Sequence, residues 1–342
     1  MCTRIQIYVR LEDKPMKKPT KAKLVELLKK HNYVKQDVAT ALGIDEKSVR
    51  RWCLKDKIDT DFEKKKSILE YEPLIVVPKP TIVKAIPDAS GIKLERVFVF
   101  SDMQIPYHSH EALNIALQRC ADYKPTHVVI IGDFLDYEAL LGKAKQKSPD
   151  LSTDELKALD LEFLAGAKVL KQIEQVLPKE CVKYFIKGNH EDRADQIIAK
   201  PDGDYWKKHI DINERLRLSE SGWHITWYND KIKLGKLNYT HGFYYDVHHA
   251  QHHARVYCEN VLYGHSHQVQ VFTMPTPARE LAFWSASVGC LSNMNPEWLR
   301  GKPNSWDHAF AEIDYLPDGS FFPHIHRIIK GKVIIDGKLY RG

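Results

Sequence analysis

The sequence predicts a large α/β domain that follows a small all-α module. From Leu94 onward, short runs of β-branched and aromatic residues alternate with helical segments, which is typical of an α/β domain. Before that point, residues 20–57 contain short helical segments and helix-capping residues. We therefore expect an all-α domain at 1–60, an extended proline-bearing linker at 61–93 and the main domain at 94–342.

The composition is typical of a soluble globular protein. The chain has 342 residues, of which 43% are hydrophobic and 28% are charged. No apolar run approaches the roughly 20 residues that span a bilayer, and residues 1–14 do not read as a signal peptide. The six cysteines occur singly, without a CxxC pair, which favours a reducing compartment over a zinc knuckle. We expect a cytoplasmic protein without a membrane partner.

Three short helices are predicted in the N-terminal module, at Thr20–His31, Lys35–Leu42 and Glu46–Lys55. Thr20 and Asp45 carry side chains that cap helices, and Gly43 permits a turn. The segment resembles a helix-turn-helix of the phage-repressor type. The resemblance rests on small, apolar and turn residues at that motif's usual positions, namely Val38, Ala39, Leu42, Gly43, Ile44, Val49 and Trp52.

Positive charge is concentrated in the N-terminal part of the chain. Residues 1–93 hold 21 Lys and Arg against 13 Asp and Glu, whereas the remainder holds 30 against 32. Such a basic region attracts polyanions, so nucleic acid, with DNA favoured, is the expected partner. The alternatives are a solvated lysine-rich face or a module that docks on protein. The candidate DNA contacts are Lys47, Ser48, Arg50 and Arg51.

Five predicted strands of the main domain are each followed by polar residues that can bind a ligand. The strands are Arg96–Phe100, His127–Ile131, Val182–Ile186, Lys236–Tyr239 and Asn260–Tyr263. The residues after them include Asp102, Gln104, Asp133, Asp136, Asn189, His190, His241, His265 and His267. Ligand sites in open α/β sheets gather beyond the carboxyl ends of strands, so we expect these side chains to converge on one site.

This set of carboxylate, amide and imidazole donors lacks a thiolate and suits manganese, iron, zinc or magnesium. Two divalent ions held roughly 3.5–4 Å apart need a shared carboxylate, and Asp133 lies between the other groups. Gly132 and Gly188 let the backbone approach the ions closely. His265 and His267 are two residues apart, so in an extended segment they point to the same side.

Five blocks in this order resemble those of the calcineurin-like metallophosphoesterases over about residues 96–290. The blocks are Asp102-Met103-Gln104, Gly132-Asp133-Phe134-Leu135-Asp136, Gly188-Asn189-His190-Glu191, His241, and Gly264-His265-Ser266-His267. The resemblance implies an αββα sandwich that holds two metal ions. Its ligands would be Asp102, Gln104, Asp133 and His267 for the first ion, and Asp133, Asn189, His241 and His265 for the second.

The resemblance also implies catalytic roles. His190 would face the leaving group, and Asp136 would hydrogen-bond to His190 and raise its basicity. Most members have histidine where this chain has Gln104, and a neutral amide oxygen is a harder ligand than imidazole. We therefore expect two divalent ions, with manganese favoured and magnesium, iron or zinc as alternatives.

Other residues near the blocks have two interpretations each. Arg193 either clamps a phosphate oxygen or pairs with an acidic neighbour. Tyr107 and His108 are candidates to line a substrate groove, although His108 also suits a surface position. The histidines at 248, 249, 252 and 253 favour packing or solvation over a further metal site. For Trp306, core packing is favoured over a position that covers the sheet or the site.

These features predict a hydrolase for phosphate esters. A hydroxide formed from water between the two ions would attack phosphorus, and His190 would protonate the leaving group. Phosphodiester bonds of nucleic acid are the favoured substrate, as for a nuclease or an end-processing enzyme. The alternatives are a phosphomonoesterase for protein or nucleotides, and a non-enzymatic DNA-binding regulator with a degenerate metal site. The combination of modules resembles bacteriophage proteins, and the oligomeric state is not predicted.

Overall fold

The computed structural model describes residues 18–31, 34–58, 94–275 and 282–342. The chain divides into two compact units, residues 1–67 and residues 68–342. The border between these units falls within the predicted linker at 61–93, which lies outside the described residues.

The described part of the smaller unit contains three helices: α1 (Lys21–Lys30), α2 (Lys35–Leu42) and α3 (Glu46–Lys55). The Thr20 hydroxyl accepts a hydrogen bond from the N–H of Lys23 at 3.3 Å, and Asp45 caps α3 through the N–H of Ser48 at 3.0 Å. Gly43 ends α2 with a φ of +64°, a left-handed conformation that glycine adopts readily. The predicted helices, caps and turn are confirmed.

One apolar core joins the three helices. Its buried side chains are Leu24, Leu28, Val38, Ala39, Val49 and Cys53. Leu42, Ile44 and Trp52 pack against this core in partly buried positions. Isolated helices of this length are marginal in water, so the shared core stabilises all three of them.

In the part of the larger unit that the structure describes, the strands form two sheets and a hairpin. The six-stranded sheet has the order β11–β10–β1–β2–β3–β4. Its strands are β1 (Glu95–Phe100), β2 (His127–Ile130), β3 (Val182–Ile186), β4 (Trp223–Thr226), β10 (Ala309–Tyr315) and β11 (Phe321–Arg327). The five-stranded sheet has the order β5–β6–β7–β9–β8. Its strands are β5 (Ile232–Leu234), β6 (Leu237–Thr240), β7 (Val261–Tyr263), β8 (Val269–Met274) and β9 (Phe283–Val288). The hairpin is β12 (Lys332–Ile335) with β13 (Lys338–Arg341).

Alternation along β1 shows how the layers pack. Phe98 and Phe100 belong to the apolar cluster shared with the helices, whereas Val97 and Val99 belong to a second cluster. That second cluster also contains Leu262 of β7 and other residues of the five-stranded sheet, so it lies between the two sheets. Successive side chains on a strand point to opposite faces, which gives the six-stranded sheet one face for each layer.

Helices cover the outer faces of the sandwich. They are α4 (His110–Tyr123), α5 (Thr153–Val176), α6 (Asn189–Ile198), α7 (Gly203–Ile210), α8 (Ile212–Leu216) and α9 (His249–Tyr257). Residues from α4 to α8 bury apolar side chains with the six-stranded sheet, and α9 contacts the five-stranded sheet. The αββα fold class is confirmed.

Candidate metal centre

The candidate ligands lie beyond the carboxyl ends of five strands from the two sheets, as expected. Asp102 follows β1, Asp133 follows β2, Asn189 follows β3, His241 follows β6, and His265 follows β7. Strands β1, β2 and β3 run parallel to one another, as do β6 and β7. Parallel strands bring their carboxyl ends to the same edge, which places these polar residues together.

Two groups of donors share one carboxylate. The ligand atoms of Asp133, His241 and His265 lie within 4.8 Å of one another, and so do those of Asp102, Asp133 and His267. Asp133 is 1% exposed and belongs to both groups. Asp133 is therefore the candidate for a ligand shared by two ions.

Several candidate ligands have left-handed backbone conformations. The φ angles are +44° for Asp102, +48° for Gln104, +48° for Asp133, +66° for His265 and +58° for His267. Positive φ is uncommon for residues other than glycine, and such strain clusters at functional sites. Tight turns, rather than continued strands, thus direct these side chains into the site.

The expectation that His265 and His267 lie in an extended segment is wrong. The N–H of Ser266 donates to the carbonyl of Gly264 at 2.7 Å, which closes a tight three-residue turn around His265. The N–H of His265 also donates to the Asp102 carboxylate at 3.0 and 3.1 Å. The turn still sends the two histidines to the site, one to each donor group.

Close backbone approach at two glycines makes room for the carboxylates. A Cβ at Gly188 would lie 2.1 Å from Oδ1 of Asp133, and a Cβ at Gly264 would lie 2.3 Å from Oδ2 of Asp102. The Ser101 hydroxyl donates to that same Asp102 oxygen. Gly188 was expected to let the backbone approach the metal ions closely. In the structure, its missing side chain leaves room for the carboxylate of Asp133.

The contacts of His241 indicate a cation site. Its Nδ1–H donates to the carbonyl of Ile131 at 2.8 Å, so Nε2 carries the lone pair when the ring is neutral. That Nε2 faces Oδ1 of Asn189 at 2.9 Å and Oδ2 of Asp133 at 3.3 Å. Nδ1 of His265 lies 2.7 Å from the same Asn189 oxygen. Lone pairs that face oxygen atoms repel, and a proton or a metal ion between them removes the repulsion. The residues therefore fit a bound metal ion.

Burial and charge shift the pKa values at this site in opposite directions. Burial lowers the pKa of His241, but the Asp133 carboxylate outweighs it and raises the value to about 9. Burial raises the pKa of Asp133, but the charges of His190 and His241 hold it well below its usual range. Burial, followed by the charge of His241, lowers the pKa of His265 to about 4. The protein thus holds a buried carboxylate together with cationic imidazole.

His190 is positioned mainly by a backbone carbonyl. Its Nδ1 contacts the carbonyl oxygen of Asp136 at 2.5 Å, while Oδ1 of the Asp136 carboxylate lies 3.5 Å from the same nitrogen. The closer acceptor for the ring is thus the backbone carbonyl of Asp136, whereas the predicted acceptor was the carboxylate of the same residue. The N–H of His190 donates to Oδ1 of Asp133 at 2.9 Å, and its Nε2 lies 3.7 Å from Oδ2 of Asp133. The ring therefore borders the shared carboxylate without belonging to either donor group.

Arg193 supports this arrangement. Its Nη1 donates to the carbonyl of Asp136 at 2.9 Å and approaches that of Tyr137 at 3.5 Å. The partly buried guanidinium therefore fixes the loop that orients His190. This contact with backbone differs from both earlier interpretations, the phosphate clamp and the pair with an acidic neighbour.

Glu191 has a role that sequence reasoning missed. Its buried carboxylate accepts hydrogen bonds from the N–H groups of Gly188 at 2.7 Å, Asp133 at 3.0 Å and Leu135 at 3.0 Å. It thereby ties the β2 and β3 strand ends together. The available signal was its position three residues after Gly188, because a glutamate there can cap the start of a helix.

Gln104 and His267 meet at the other donor group. Nε2 of Gln104 lies 3.3 Å from Nε2 of His267, and that ring atom lies 3.4 Å from Oδ1 of Asp102. The oxygen and nitrogen of an amide are assigned from such contacts, so a turned amide would present its oxygen instead. The Trp306 ring lies 4.4 Å from the His267 ring, so its expected place in the core is wrong.

Tyr107 and His108, the two candidates for the substrate groove, lie in different environments. The Tyr107 hydroxyl donates to Oε2 of Glu138 at 2.5 Å in a partly buried position. His108 is buried, which contradicts a surface position, and burial lowers its pKa to about 3. A neutral, enclosed imidazole suits packing beside the His110 ring, whose centroid lies 4.5 Å away.

The candidate DNA contacts lie on α3 of the smaller unit. Lys47, Arg50 and Arg51 are exposed, and Arg50 pairs with Glu46 at 2.7 Å. Ser48 donates its hydroxyl and its N–H to the Asp45 cap, so its side chain already has a structural role. Lys47, Arg50 and Arg51 are therefore better candidates for contacts with DNA than Ser48.

Comparison with known proteins identifies the family. Residues 95–286 match the family described as calcineurin-like phosphoesterase. The chain belongs to this family. The Gene 54 proteins of Mycobacterium phages L5 and D29 are 24% and 23% identical to it, and each match covers 72% of this chain and 98% of the relative.

Solved structures of vacuolar protein sorting 29 also match this phosphoesterase. The protein from Cryptosporidium parvum gives a TM-score of 0.38 at 14% identity, covering 73% of this chain and 99% of that one. The Chaetomium thermophilum protein gives a TM-score of 0.40 at 9% identity, covering 72% and 98%. Within the described residues, no helix is long and apolar enough to cross a bilayer.

Proposed function

We propose that this phosphoesterase cleaves phosphodiester bonds of nucleic acid with two divalent ions, manganese being favoured, in the cytoplasm of a host cell. The main support for a two-ion centre is that Asp133 belongs to both groups of donors. Family membership supports hydrolysis of a phosphate ester. The phosphodiester substrate and the preference for manganese are the parts that we propose.

Each ion would have its own ligands around the common carboxylate. Asp102, Gln104 and His267 would complete one site, and Asn189, His241 and His265 the other. When bound, the two dications would offset the charge of the phosphate and favour deprotonation of the attacking water. The oxygen-rich donor set, with Gln104 in place of an imidazole, favours manganese or magnesium.

His190 would act as the general acid. The bond from its Nδ1 to the Asp136 carbonyl leaves Nε2 directed toward the shared carboxylate. A proton on Nε2 would pass to the departing alkoxide oxygen. Arg193 and Glu191 would hold the loops that carry these groups, so they are positioning residues.

The smaller unit supports nucleic acid as the substrate. Its α3 helix exposes Lys47, Arg50 and Arg51 after a glycine turn, in a segment that resembles a helix-turn-helix. Basic residues on one helix attract the phosphate backbone and would raise the local concentration of the substrate. The phage origin of the relatives fits an enzyme that processes nucleic acid.

A substrate panel with manganese tests the proposal. The panel contains bis-p-nitrophenyl phosphate, p-nitrophenyl phosphate, and labelled single- and double-stranded DNA, each offered to the full chain and to Asp133→Asn. We expect cleavage of the diester and of DNA by the native chain, with loss of both in the variant.

Other outcomes select the alternatives. Turnover of the monoester without cleavage of DNA or the diester would identify a phosphomonoesterase. DNA binding without hydrolysis of any ester, in folded protein that holds fewer than two metal ions per chain in excess manganese, would identify a non-enzymatic regulator with a degenerate metal site.

A further inference from the structure

The loop after β6 is held in place by two histidines of α9. Nε2 of His253 accepts a hydrogen bond from the N–H of Phe243 at 3.2 Å, while its Nδ1–H donates to the carbonyl of His249 at 2.8 Å. The His253 ring also stacks on Tyr263 with centroids 3.7 Å apart. These contacts fix the first part of the loop directly after the candidate ligand His241.

A second anchor holds the far part of the loop. The Tyr244 ring stacks on His252 with centroids 3.7 Å apart and planes 17° from parallel. Nδ1 of His252 lies 3.1 Å from Oδ2 of Asp246, and Oδ1 of Asp246 accepts the N–H of His248 at 2.9 Å. The α9 histidines therefore act in packing and loop support, as the sequence favoured.

Tyr245, between these anchors, is presented to solvent beside the metal centre. Its side chain is 76% exposed, although both neighbouring segments are fixed. Its ring centroid lies 5.7 Å from that of His265, with the planes 69° apart. An edge-to-face contact of this kind leaves most of the tyrosine surface open. The result is a large aromatic surface held next to a candidate ligand.

A second aromatic ring lies at the other donor group. Trp306 packs against His267 with ring centroids 4.4 Å apart and planes at 65°. His265 and His267 belong to different donor groups, so an aromatic residue borders each candidate metal position.

We propose that Tyr245 is a stacking platform for an unpaired base next to the scissile phosphate, with Trp306 as the aromatic residue at the other donor group. Every base has a π face, so stacking on tyrosine binds nucleotides without reading their sequence. In a duplex those faces are covered by neighbouring bases, and exposing one costs free energy. The substrate would therefore be single-stranded nucleic acid or a frayed end. This inference rests on the proposed phosphodiesterase function.

Two diesters with the same leaving group test the platform. Thymidine 5′-(p-nitrophenyl phosphate) carries a base, and methyl p-nitrophenyl phosphate does not. The readout is the ratio of kcat/KM for the two substrates with manganese. We expect the native protein to favour the thymidine ester and Tyr245→Ala to lower that ratio about tenfold or more. Tyr245→Phe and Tyr245→Trp keep an aromatic face and should keep the ratio.

Tyr205→Ala is the matched control, because Tyr205 is a 61% exposed tyrosine on α7 that packs against Trp206 rather than the candidate ligands. The ratio should stay at its native value in this variant. Metal content is measured for every variant, so that a lost ion is not mistaken for a lost base contact.

Different results would overturn the stacking platform at Tyr245 and the proposed phosphodiesterase function. An unchanged ratio in Tyr245→Ala, with both diesters still hydrolysed, overturns the platform and leaves the phosphodiesterase intact. Equal cleavage rates for one DNA strand and for its blunt duplex also overturn it. Hydrolysis of neither diester by metal-loaded native protein overturns the proposed function and this inference with it.

Discussion

Replacing Gly188 by alanine tests whether the strand ends are packed around the shared carboxylate. Gly188 has φ −94° and ψ −176°, an extended conformation that alanine adopts without strain. The added Cβ would lie 2.1 Å from Oδ1 of Asp133 and 2.3 Å from the Asp133 backbone nitrogen. Ordinary van der Waals contact begins at 3.4 Å, so the carboxylate must move by more than 1 Å.

The magnitude follows from that displacement. Overpacking a well-packed site costs about 1–3 kcal/mol of unfolding free energy, and more where backbone must move. For a unit of this size the cost corresponds to a fall in Tm of roughly 2–12 °C. A displacement of about 1 Å in a catalytic group can lower kcat on the order of 100-fold. Because Asp133 belongs to both donor groups, we expect fewer than two ions per chain.

The assay combines three measurements on Gly188→Ala: metal content by elemental analysis, Tm, and kcat on bis-p-nitrophenyl phosphate. Gly142→Ala is the control, because Gly142 has a φ of +78° and nothing within 4 Å of an added Cβ. That variant carries backbone strain without a steric clash and should keep both metals. Two ions per chain and a kcat within threefold of native in Gly188→Ala would refute the packing argument.

Three further predictions concern the ligand role of Gln104, the proton on His241 and the basic residues of α3. Gln104→His adds an imidazole, so we expect zinc affinity to rise at least about tenfold in competition titrations, and no change would contradict the assigned ligand role. The pKa of His241 is raised to about 9 in the metal-free protein, so the ring is protonated at pH 7 and metal loading must release that proton. Metal affinity should therefore rise with pH toward 9, and calorimetry in buffers of different ionisation enthalpy should detect proton release. Removing Lys47 and Arg51 together should lower the salt slope of DNA binding by roughly 2, whereas Lys23→Ala, on α1, should leave it unchanged.

The main strands could be predicted from the sequence because their signal is local. The run Arg96–Phe100 differs from β1 by one residue, and Val182–Ile186 matches β3. Apolar β-branched runs bounded by polar residues need no knowledge of distant contacts. The polar residues after these strands were also visible, and parallel topology was enough to bring them together.

The detailed geometry of the site depends on contacts between distant residues, which a single sequence does not display. The turn at His265 depends on the Asp102 carboxylate, 163 residues away in the chain. The hydrogen bonds of Glu191 to Asp133 and Leu135 likewise join separate strand ends. Trp306 illustrates the same limit, because tryptophan suits a core or a site, and only the fold places it against His267.

The burial of acidic groups explains why this fold needs cations at the strand ends. Asp102, Asp133 and Glu191 are almost fully buried within one small region. Burial and the charge of Asp133 raise the pKa of Glu191 to about 7. The effect of Asp133 reflects repulsion between the two carboxylates. Two unit charges 4 Å apart at an effective dielectric of about 20 interact by roughly 4 kcal/mol. Without metal, a proton on His241 offsets part of this charge. Divalent ions would offset more of it, so the repulsion built into the folded strand ends becomes affinity for metal.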